Sequence, residues 1–336
     1  MYFVPASFLL KMDNSRGTTS LLMLGGESQM QKIFYKLMVA ASERHASDIY
    51  IWPDSDGFQV IYYSAIGIEK VHHFNTKIGE ALIRHIKFSA HMDISEVRRP
   101  QLGRWHYSID QQSLHLRVSS VADFLNRESI VIRLIYDMQD NILDWQPKHQ
   151  LNELADLLKL KQGLILLAGQ MGSGKTTTLY HVATNHLDNQ MVLTIEDPVE
   201  LVAPEFLQLQ VNNAAHMGYE QLLKLALRHH PDIMIIGEIR DAETAHIVVQ
   251  AALSGHLILS TVHAMSIKGI WYRLRAFGVP IDLLNQVVVG LGYQEMITHD
   301  NQAYVHLKMT SGKQLNELLV DLKNAETNAM ASQASS

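Results

Sequence analysis

The sequence contains no cysteine. A chain without cysteine forms no disulfide framework and no zinc site with thiolate ligands. Charged residues make up only 18% of the chain, and acidic residues outnumber basic ones by 34 to 28, which leaves a net charge of −6. Proteins dedicated to nucleic acid normally carry a basic surplus that neutralises phosphates. The composition therefore gives no electrostatic support for a dedicated nucleic-acid binder.

Long apolar runs are also absent. No stretch approaches the roughly 18 to 20 apolar residues of a membrane-spanning helix. The opening segment MYFVPASFLLKM is apolar, but no basic leader precedes its apolar part and no clear small-residue cleavage site follows. We therefore interpret residues 1–27 as a flexible N-terminal tail rather than as a signal peptide.

The chain of 336 residues is long enough for two ordinary domains, and its two halves differ in pattern. In the first half, the spacing of apolar residues predicts helices over residues 30–44 and 76–90. Strands are predicted in HASDIYIW, FQVIYYSAIG, SLHLRVSSV and SIVIRLIY. Residues 28–138 are thus predicted to form a small α+β domain. The polar segment around Pro147 predicts a linker over residues 139–149.

The second half, residues 150–336, consists of short apolar runs separated by helical patterns. The runs GLILLAG, MVLTIEDP, PDIMIIGE and GHLILSTVH are typical of buried parallel strands. Alternation of such strands with helices predicts an α/β domain with a parallel sheet. We expect this domain to end in a helical part and a disordered end.

Between the first of these strands and the next helix lies the pattern G-x-x-x-x-G-K-[ST], spelled GQMGSGKT. Glycines let backbone N–H groups turn towards phosphate oxygens, and the helix N-terminus adds positive potential. Lys175 can reach the β- and γ-phosphates, and Thr176 can hold Mg²⁺. The pattern therefore predicts a site for a nucleoside triphosphate. Its predicted binding residues are Gly169, Gln170, Met171, Gly172, Ser173, Gly174, Lys175, Thr176 and Thr177.

Carboxylates follow two of the other predicted strands. Glu196 and Asp197 come just after one buried run, and Glu238 ends the next. Ligands of open α/β sheets bind outside the carboxyl ends of the strands, where a carboxylate can order Mg²⁺ or polarise an attacking water. Taken alone, the pair at 196 and 197 fits a solvated loop equally well. Glu238 occupies the place of the second acidic motif of P-loop ATPases, where aspartate is commoner, and is expected to act on Mg²⁺ or on the nucleophile.

Two histidines flank the fourth predicted strand. A lone histidine beside an apolar run is more often a core residue than a catalyst. His263 lies at the carboxyl end of the strand, where it can sense a γ-phosphate, whereas His256 enters at the opposite end and is predicted to be structural or inter-subunit. No third ligand accompanies them, so the pair does not indicate a zinc site.

Taken together, these segments resemble the secretion ATPase superfamily, the motors of type II secretion and type IV pili. The resemblance covers roughly residues 28–297, and the short single N-terminal domain is most similar to the competence-pseudopilus assembly subfamily. In the second half the matching segments are GQMGSGKTTTLY, TIEDPVE, PDIMIIGEIRDAET and GHLILSTVHA. In the first half they are HASDIYIWP, IKFSAHMDISEVRRPQLGRW, LRVSSV and SIVIRLI.

The resemblance implies a hexameric ring ATPase whose subunit joins a PAS-like N-terminal domain to a RecA-like C-terminal domain. It implies ATP and Mg²⁺ as ligands, with Glu196 as general base and Thr176, Asp197 and Glu238 acting on the metal. It further implies that arginines of the first domain reach the phosphates. A guanidinium delivered across a moving junction would couple hydrolysis to domain rotation. The matching arginines are Arg104, Arg117 and Arg133.

The sequence departs from the family pattern at several positions. Leu102 replaces the aspartate of QDGR, and His229 and His230 stand in the segment that usually reads RQDPD. Glu295 replaces the arginine of QRL, so no role of that arginine carries over. The four-cysteine zinc module of many relatives is absent, so no zinc is expected.

Four functions are compatible with these observations. The leading hypothesis is an ATPase that drives pilin polymerisation for DNA uptake, as a homohexamer in the cytoplasm at the inner face of the cell membrane. Its expected partners are a polytopic membrane platform protein and, indirectly, pseudopilins, with no direct nucleic acid. The alternatives are a retraction motor, a RecA-like DNA motor and a scaffold that only binds nucleotide. The tail lacks the AIRNLIRE-like segment of retraction motors, which favours assembly.

Overall fold

The structure, a computed structural model, describes residues 28–110, 112–136, 143–186, 190–212, 215–299 and 302–334. The predicted N-terminal tail of residues 1–27 and residues 139–142 of the predicted linker lie outside the described residues. Over the described part, the chain forms one six-stranded and one eight-stranded sheet. No helix in these ranges is long and apolar enough to cross a membrane.

The first half forms an antiparallel sheet with strand order β3-β2-β1-β6-β5-β4. Two helices pack on one face, where their apolar side chains and those of the strands form a single core. The predicted helices and the predicted α+β character are confirmed. The elements are α1 (Gln29–Glu43), β1 (Asp48–Pro53), β2 (Gly57–Ser64), β3 (Gly67–Asn75), α2 (Thr76–Ser89), β4 (Gln101–Ile109), β5 (Gln112–Ala122) and β6 (Glu128–Ile135).

The sequence analysis does not predict two strands of this sheet, β3 and β4. Both are edge strands, and most side chains of β3 are exposed, so β3 lacks the apolar pattern on which a prediction depends. The start of α2 is set by local chemistry: the side chain of Asn75 accepts a hydrogen bond from the backbone N–H of Ile78 at 3.0 Å.

The second half forms a mainly parallel sheet with strand order β10-β9-β11-β12-β8-β13-β14-β7. The four predicted apolar strands are β8, β9, β11 and β12, which confirms the parallel α/β prediction. The strands are β7 (Trp145–Gln146), β8 (Gly163–Gly169), β9 (Val192–Glu196), β10 (Leu207–Gln210), β11 (Ile233–Ile239), β12 (Leu257–Val262), β13 (Val288–His299) and β14 (Gln302–Ser311). The helices are α3 (Lys148–Leu157), α4 (Lys175–His186), α5 (Tyr219–Ala226), α6 (Ala242–Leu253), α7 (Ile267–Ala276), α8 (Ile281–Val287) and α9 (Gly312–Ala334).

Both faces of this sheet are covered. Leu164 and Leu166 of β8 face a core shared with α5 to α9, whereas Ile165 and Leu167 face a core shared with α3 and α4. Burial on both faces explains why the strands are continuous apolar runs instead of alternating ones. Because the strands are parallel, the carboxyl ends of β8, β9, β11 and β12 meet at one edge.

The predicted linker overlaps the second sheet. Trp145 and Gln146 form β7, which pairs with β14, so that on the described residues the connection ends before the predicted residue 149. The indole Nε1 of Trp145 donates a hydrogen bond to Thr178 Oγ1 at 2.8 Å. This contact ties the incoming chain to α4. Helix α9 runs to Ala334.

A buried ion pair in the first half generates a stability prediction. The side chain of Lys87 is fully buried, and its Nζ donates to Glu128 Oε1 at 2.6 Å and to the carbonyl of Glu96 at 2.7 Å. Glu128→Gln leaves this ammonium without its counter-charge, so we expect the free energy of unfolding to fall by about 3 kcal/mol. Urea unfolding of the purified protein measures the change.

The double variant Lys87→Met, Glu128→Leu removes both charges and should recover most of that loss. A double variant less stable than Glu128→Gln alone would contradict the assignment. The matched control is Glu220→Gln, which breaks the exposed pair with Lys224 and should change stability far less.

Candidate active site

The predicted site residues of the second half gather at the carboxyl edge of the parallel strands. Gly169 ends β8, Glu196 ends β9, Glu238 lies near the end of β11, and His263 follows β12 directly. The four segments come from separate parts of the sequence, and the parallel register brings them to one edge. This is the edge at which open α/β sheets bind ligands.

The loop from Gly169 to Thr176, called the cradle below, has the backbone conformation that phosphate binding requires. Gly172 and Gly174 adopt φ values of 75° and 80°, in the left-handed region that favours glycine. Helix α4 begins at Lys175, whose Nζ donates to the carbonyl oxygens of Gly169 at 3.0 Å and Gln170 at 2.9 Å. The loop is thus folded around its own ammonium group. A phosphate could take over these two acceptor positions.

Burial lowers the pKa of Lys175, and the negative charges of Glu238 and Glu200 oppose that shift. The side chain is buried although it is ionic, which costs free energy unless an anion is close. Met171, by contrast, is 87% exposed at the tip of the loop. The cradle therefore combines a buried cation, Lys175, with an exposed apolar side chain, Met171.

Glu200 is a site residue that the sequence analysis missed. Thr176 Oγ1 donates to Glu200 Oε2 at 3.2 Å, which places an exposed carboxylate beside the hydroxyl predicted to hold Mg²⁺. Its negative charge opposes the lowering of the pKa of Arg117 by burial, and it adds to the effect of Asp48, which raises the pKa of Arg133. The signal was available in the sequence, because Glu200 is the last letter of the TIEDPVE segment.

Glu196 lies inside the protein, not in the cradle. Its side chain is 2% exposed and accepts hydrogen bonds from the hydroxyls of Tyr180 and of Thr194, the latter at 2.7 Å. Burial raises the pKa of this carboxyl despite those two donors. A general base must meet the water that it deprotonates. The predicted role of Glu196 as general base therefore requires a water to reach this buried carboxyl, and it stays a prediction.

Asp197 is exposed at the carboxyl end of β9. Its charge acts on Tyr219, whose pKa burial raises to about 12, and on Arg240. Its predicted place on the metal stays a prediction.

Glu238 and His263 are brought together as the sequence analysis expects. His263 Nε2 lies 3.0 Å from Glu238 Oε1, and Arg240 Nε lies 3.0 Å from Glu238 Oε2. A cavity of about 320 Å³ opens beside this triad; its lining includes Met171 and Arg273.

The three predicted arginines occupy one register row of the first sheet. Arg104 of β4 lies opposite Arg117 of β5, which lies opposite Arg133 of β6, and Asp48 of β1 completes the row. Arg133 Nε donates to Asp48 Oδ1 at 2.9 Å. Like charges directly opposite each other destabilise a sheet. The row therefore favours an anion beside Arg104 and Arg117.

Of the three predicted arginines, Arg117 donates hydrogen bonds to the second half of the chain. Its Nη2 donates to the carbonyl of Val199 and, at 3.2 Å, to Gln210 Oε1. Burial lowers its pKa, the charge of Arg104 adds to that effect, and Glu200 opposes it. Arg104 is exposed and Arg133 is held by Asp48, so the structure places Arg117 nearest the Val199–Glu200 loop.

The remaining predicted positions lie away from the cradle. The carbonyl of His256 accepts the backbone N–H of Gly163 at 3.1 Å, at the amino edge of the sheet, which agrees with a structural position. His256 and His230 line a cavity of about 460 Å³ at that opposite edge. Leu102, the departure from QDGR, is 87% exposed.

Comparison with known proteins gives a consistent result. The family model described as "Type II/IV secretion system protein" matches residues 24–331. The chain is 40% identical to the competence protein ComGA of Streptococcus pneumoniae (strain ATCC BAA-255 / R6) over 270 residues, covering 80% of this chain and 85% of that protein. It is 35% identical to the putative type II secretion system protein E of Escherichia coli (strain K12), covering 79% of this chain and 55% of that protein.

Solved structures share the fold at low identity. The ATPase DotB of Yersinia pseudotuberculosis has a TM-score of 0.70 at 21% identity, covering 92% of this chain and 87% of its own. The pilus retraction motor PilT with bound ADP has a TM-score of 0.59 at 20% identity, covering 89% of each chain. These likenesses confirm the RecA-like P-loop fold.

The buried carboxyl of Glu196 generates a pH prediction. Its folded-state pKa lies above the ordinary value of 4.5, so the folded protein binds more protons than the unfolded chain above pH 4.5. The stability contributed by this group is complete below pH 4.5 and is lost as pH rises through the raised pKa. Relative to Glu196→Gln, the wild type should therefore lose stability as pH increases.

Urea unfolding of both proteins at a series of pH values measures this difference. Glu205→Gln, at an exposed position, controls for the loss of one negative charge. A stability difference between wild type and Glu196→Gln that stays constant across the pH series would contradict the prediction.

Proposed function

Because the chain belongs to the type II/IV secretion system protein family, we propose that its ATPase activity powers the assembly of a competence pseudopilus for DNA uptake. The observation that carries this proposal is the bridge from Arg117 to the Val199–Glu200 loop. These hydrogen bonds join the first sheet to the carboxyl edge of the parallel strands in the second sheet. A site shared between two parts of a chain can convert hydrolysis into their relative movement.

The glycine-rich loop binds the phosphates. Its backbone N–H groups and the start of α4 are arranged for an anion, and Lys175 supplies the buried positive charge. The oxygen atoms of Thr176, Asp197 and Glu238 would hold Mg²⁺, which is bound in proteins by a few oxygen ligands together with substrate phosphates. When bound, Mg²⁺ supplies charge neutralisation between the β- and γ-phosphates.

We assign the role of general base to Glu200 in place of Glu196. Glu200 is exposed and lies at hydrogen-bonding distance from the cradle residue Thr176, so a water beside the γ-phosphate could reach it. Glu196 instead anchors the end of β9 through Tyr180 and Thr194. His263 and Arg240 hold the two oxygens of Glu238, which orients that carboxylate towards the cradle.

The arginine row supports the transition state. Negative charge builds up on the transferred phosphoryl oxygens, and guanidinium groups placed there stabilise it without reorganisation. The mutual repulsion of Arg104 and Arg117 decreases when an anion enters between them and the cradle. Hydrolysis and phosphate release would then loosen the link between the two sheets.

The proposed assembly is a homohexamer recruited to the inner face of the cell membrane by a polytopic platform protein. Pseudopilins would be moved indirectly, and neither nucleic acid nor zinc takes part. The two predicted domains, joined by the segment that ends at β7, would be the parts that move. A retraction motor of the same family is the alternative.

The assignment of the base predicts different effects at two glutamates. Glu200→Gln should lower kcat for ATP by about 10²- to 10⁴-fold, because it removes the group that takes the proton from water. Glu196→Gln keeps both accepted hydrogen bonds and should retain most of the activity. Phosphate release at saturating ATP measures both. Equal losses in the two variants, or a larger loss in Glu196→Gln, would restore Glu196 as the base.

The proposed cellular role predicts the phenotype of Arg117→Ala. Loss of this guanidinium should lower ATP turnover by at least about 10²-fold, since one preorganised donor for the transition state is removed. In the native host, cells carrying the variant should give few transformants and no surface pseudopilin. Transformants are counted, and surface pseudopilin is detected by immunoblot of sheared material.

The same experiment separates the two candidate motors. Surface pseudopilin that accumulates while transformation is lost would indicate a retraction motor and contradict the assembly role. Arg44→Ala is the control, since that arginine is exposed on the first half and pairs with Glu69 away from the cradle. It should leave transformation unchanged.

A further inference from the structure

One fully buried polar side chain touches the cradle but has no place in the predicted site. Gln294 of β13 lies opposite Gly169, at the carboxyl end of the strand that feeds the glycine-rich loop. Its exposed fraction is 0%. A neutral amide is costly to bury unless its donor and acceptor are used, so its contacts indicate what it holds.

Those contacts are with the loop itself. The side-chain Nε2 of Gln294 donates a hydrogen bond to the carbonyl of Ser173. A Cβ built on Gly169 would lie 2.1 Å from the backbone oxygen of Gln294, and one built on Gly174 would lie 3.3 Å from its Nε2. Two of the loop's glycines are therefore packed against this one residue, and any side chain at Gly169 would displace it.

Two buried atoms at this contact have no hydrogen-bond partner: Ser173 Oγ and Gln294 Oε1. A hydroxyl is a donor and an amide oxygen is an acceptor, so the two unpaired atoms are chemically complementary. Ser173 is 2% exposed, which keeps water from serving either of them. A hydrogen bond between them would remove the cost of two unsatisfied groups.

We propose that Gln294 is the positioning residue of the phosphate cradle. Its amide holds Ser173 from the β13 side, so that the backbone N–H groups of the loop face the phosphates before nucleotide binds. A second hydrogen bond, donated by Ser173 Oγ to Gln294 Oε1, forms when the phosphates bind. The inference rests on the proposed function only in requiring that the loop binds nucleotide.

The role has a kinetic signature. Preorganised N–H groups bind the phosphates of the ground state and of the transition state alike, so losing them weakens binding more than it slows chemistry. Gln294 does not touch the reacting atoms. Its removal should therefore raise the Kd for ADP and the KM for ATP, with a much smaller change in kcat.

Two variants of the full chain test this. Gln294→Met keeps the length and volume of the side chain but neither donates nor accepts strongly, and it should raise Kd and KM by about tenfold, the equivalent of one hydrogen bond. Gln294→Glu cannot donate to Ser173 when ionised and adds negative charge near the phosphates, so it should bind more weakly still. Calorimetric titration with ADP and steady-state ATPase rates measure both.

The matched control is Gln59→Met. Gln59 also donates its amide to a backbone carbonyl, that of His72 at 2.7 Å, but it lies in the first sheet. This control should lower the melting temperature slightly and leave the Kd for ADP unchanged. The melting temperature of the Gln294 variants without nucleotide reports whether they are folded.

The outcomes are distinct. If wild type binds ADP and Gln294→Met binds it equally well, with only a fall in melting temperature like that of Gln59→Met, Gln294 is a packing residue and the inference is overturned. An equal loss in kcat and kcat/KM, with Kd unchanged, would also overturn it, because the residue would then act only in the transition state. A wild-type protein that binds no ADP would overturn the inference and the proposed function together.

Discussion

The contact between Arg117 and the Val199–Glu200 loop is the interaction on which the site depends. It brings a guanidinium from the antiparallel sheet to the edge where the parallel sheet gathers its carboxylates. Without it, the arginine row would be a repulsive stripe on an otherwise ordinary sheet face. With it, cations from one sheet and carboxylates from the other enclose the space next to the glycine-rich loop.

The three carboxylates around this space differ in burial, and burial sets which of them can meet water. Glu196, Glu200 and Glu238 are all acidic residues at or beyond strand ends, yet their surroundings differ. Burial raises the pKa of Glu196, although the hydroxyls of Tyr180 and Thr194 donate hydrogen bonds to it and oppose that shift. Glu238 keeps partial exposure and has cationic or imidazole partners on both oxygens. Glu200 alone faces both the solvent and the cradle hydroxyl, which gives it access to water.

Much of this arrangement could be predicted, because parallel strands that end in charged residues bring those residues to one edge. The glycine-rich loop was predicted from its residue pattern, and Glu238 and His263 from their positions at strand ends; in the structure Met171, Glu238 and His263 line one cavity. The edge strands β3 and β4 could not be read in the same way, since β3 is largely exposed and has no apolar period. Gln294 was not predicted as a site residue, although it is the glutamine of the segment that matches the family's QRL, because the pattern does not show which side chain lies against the loop.

Residue types and their order along the chain establish the chemistry that is available: a glycine-rich loop, a lysine and strand-end carboxylates, with three arginines implied by the family resemblance. These are properties of residue type and short-range order, which act over a few positions along the chain. The burial of one glutamate, the contact of one arginine with the second half and the support of the loop by one side chain depend on the tertiary structure. Exposure and proximity depend on residues far apart in sequence, such as Ser173 and Gln294, and packing alone brings these together.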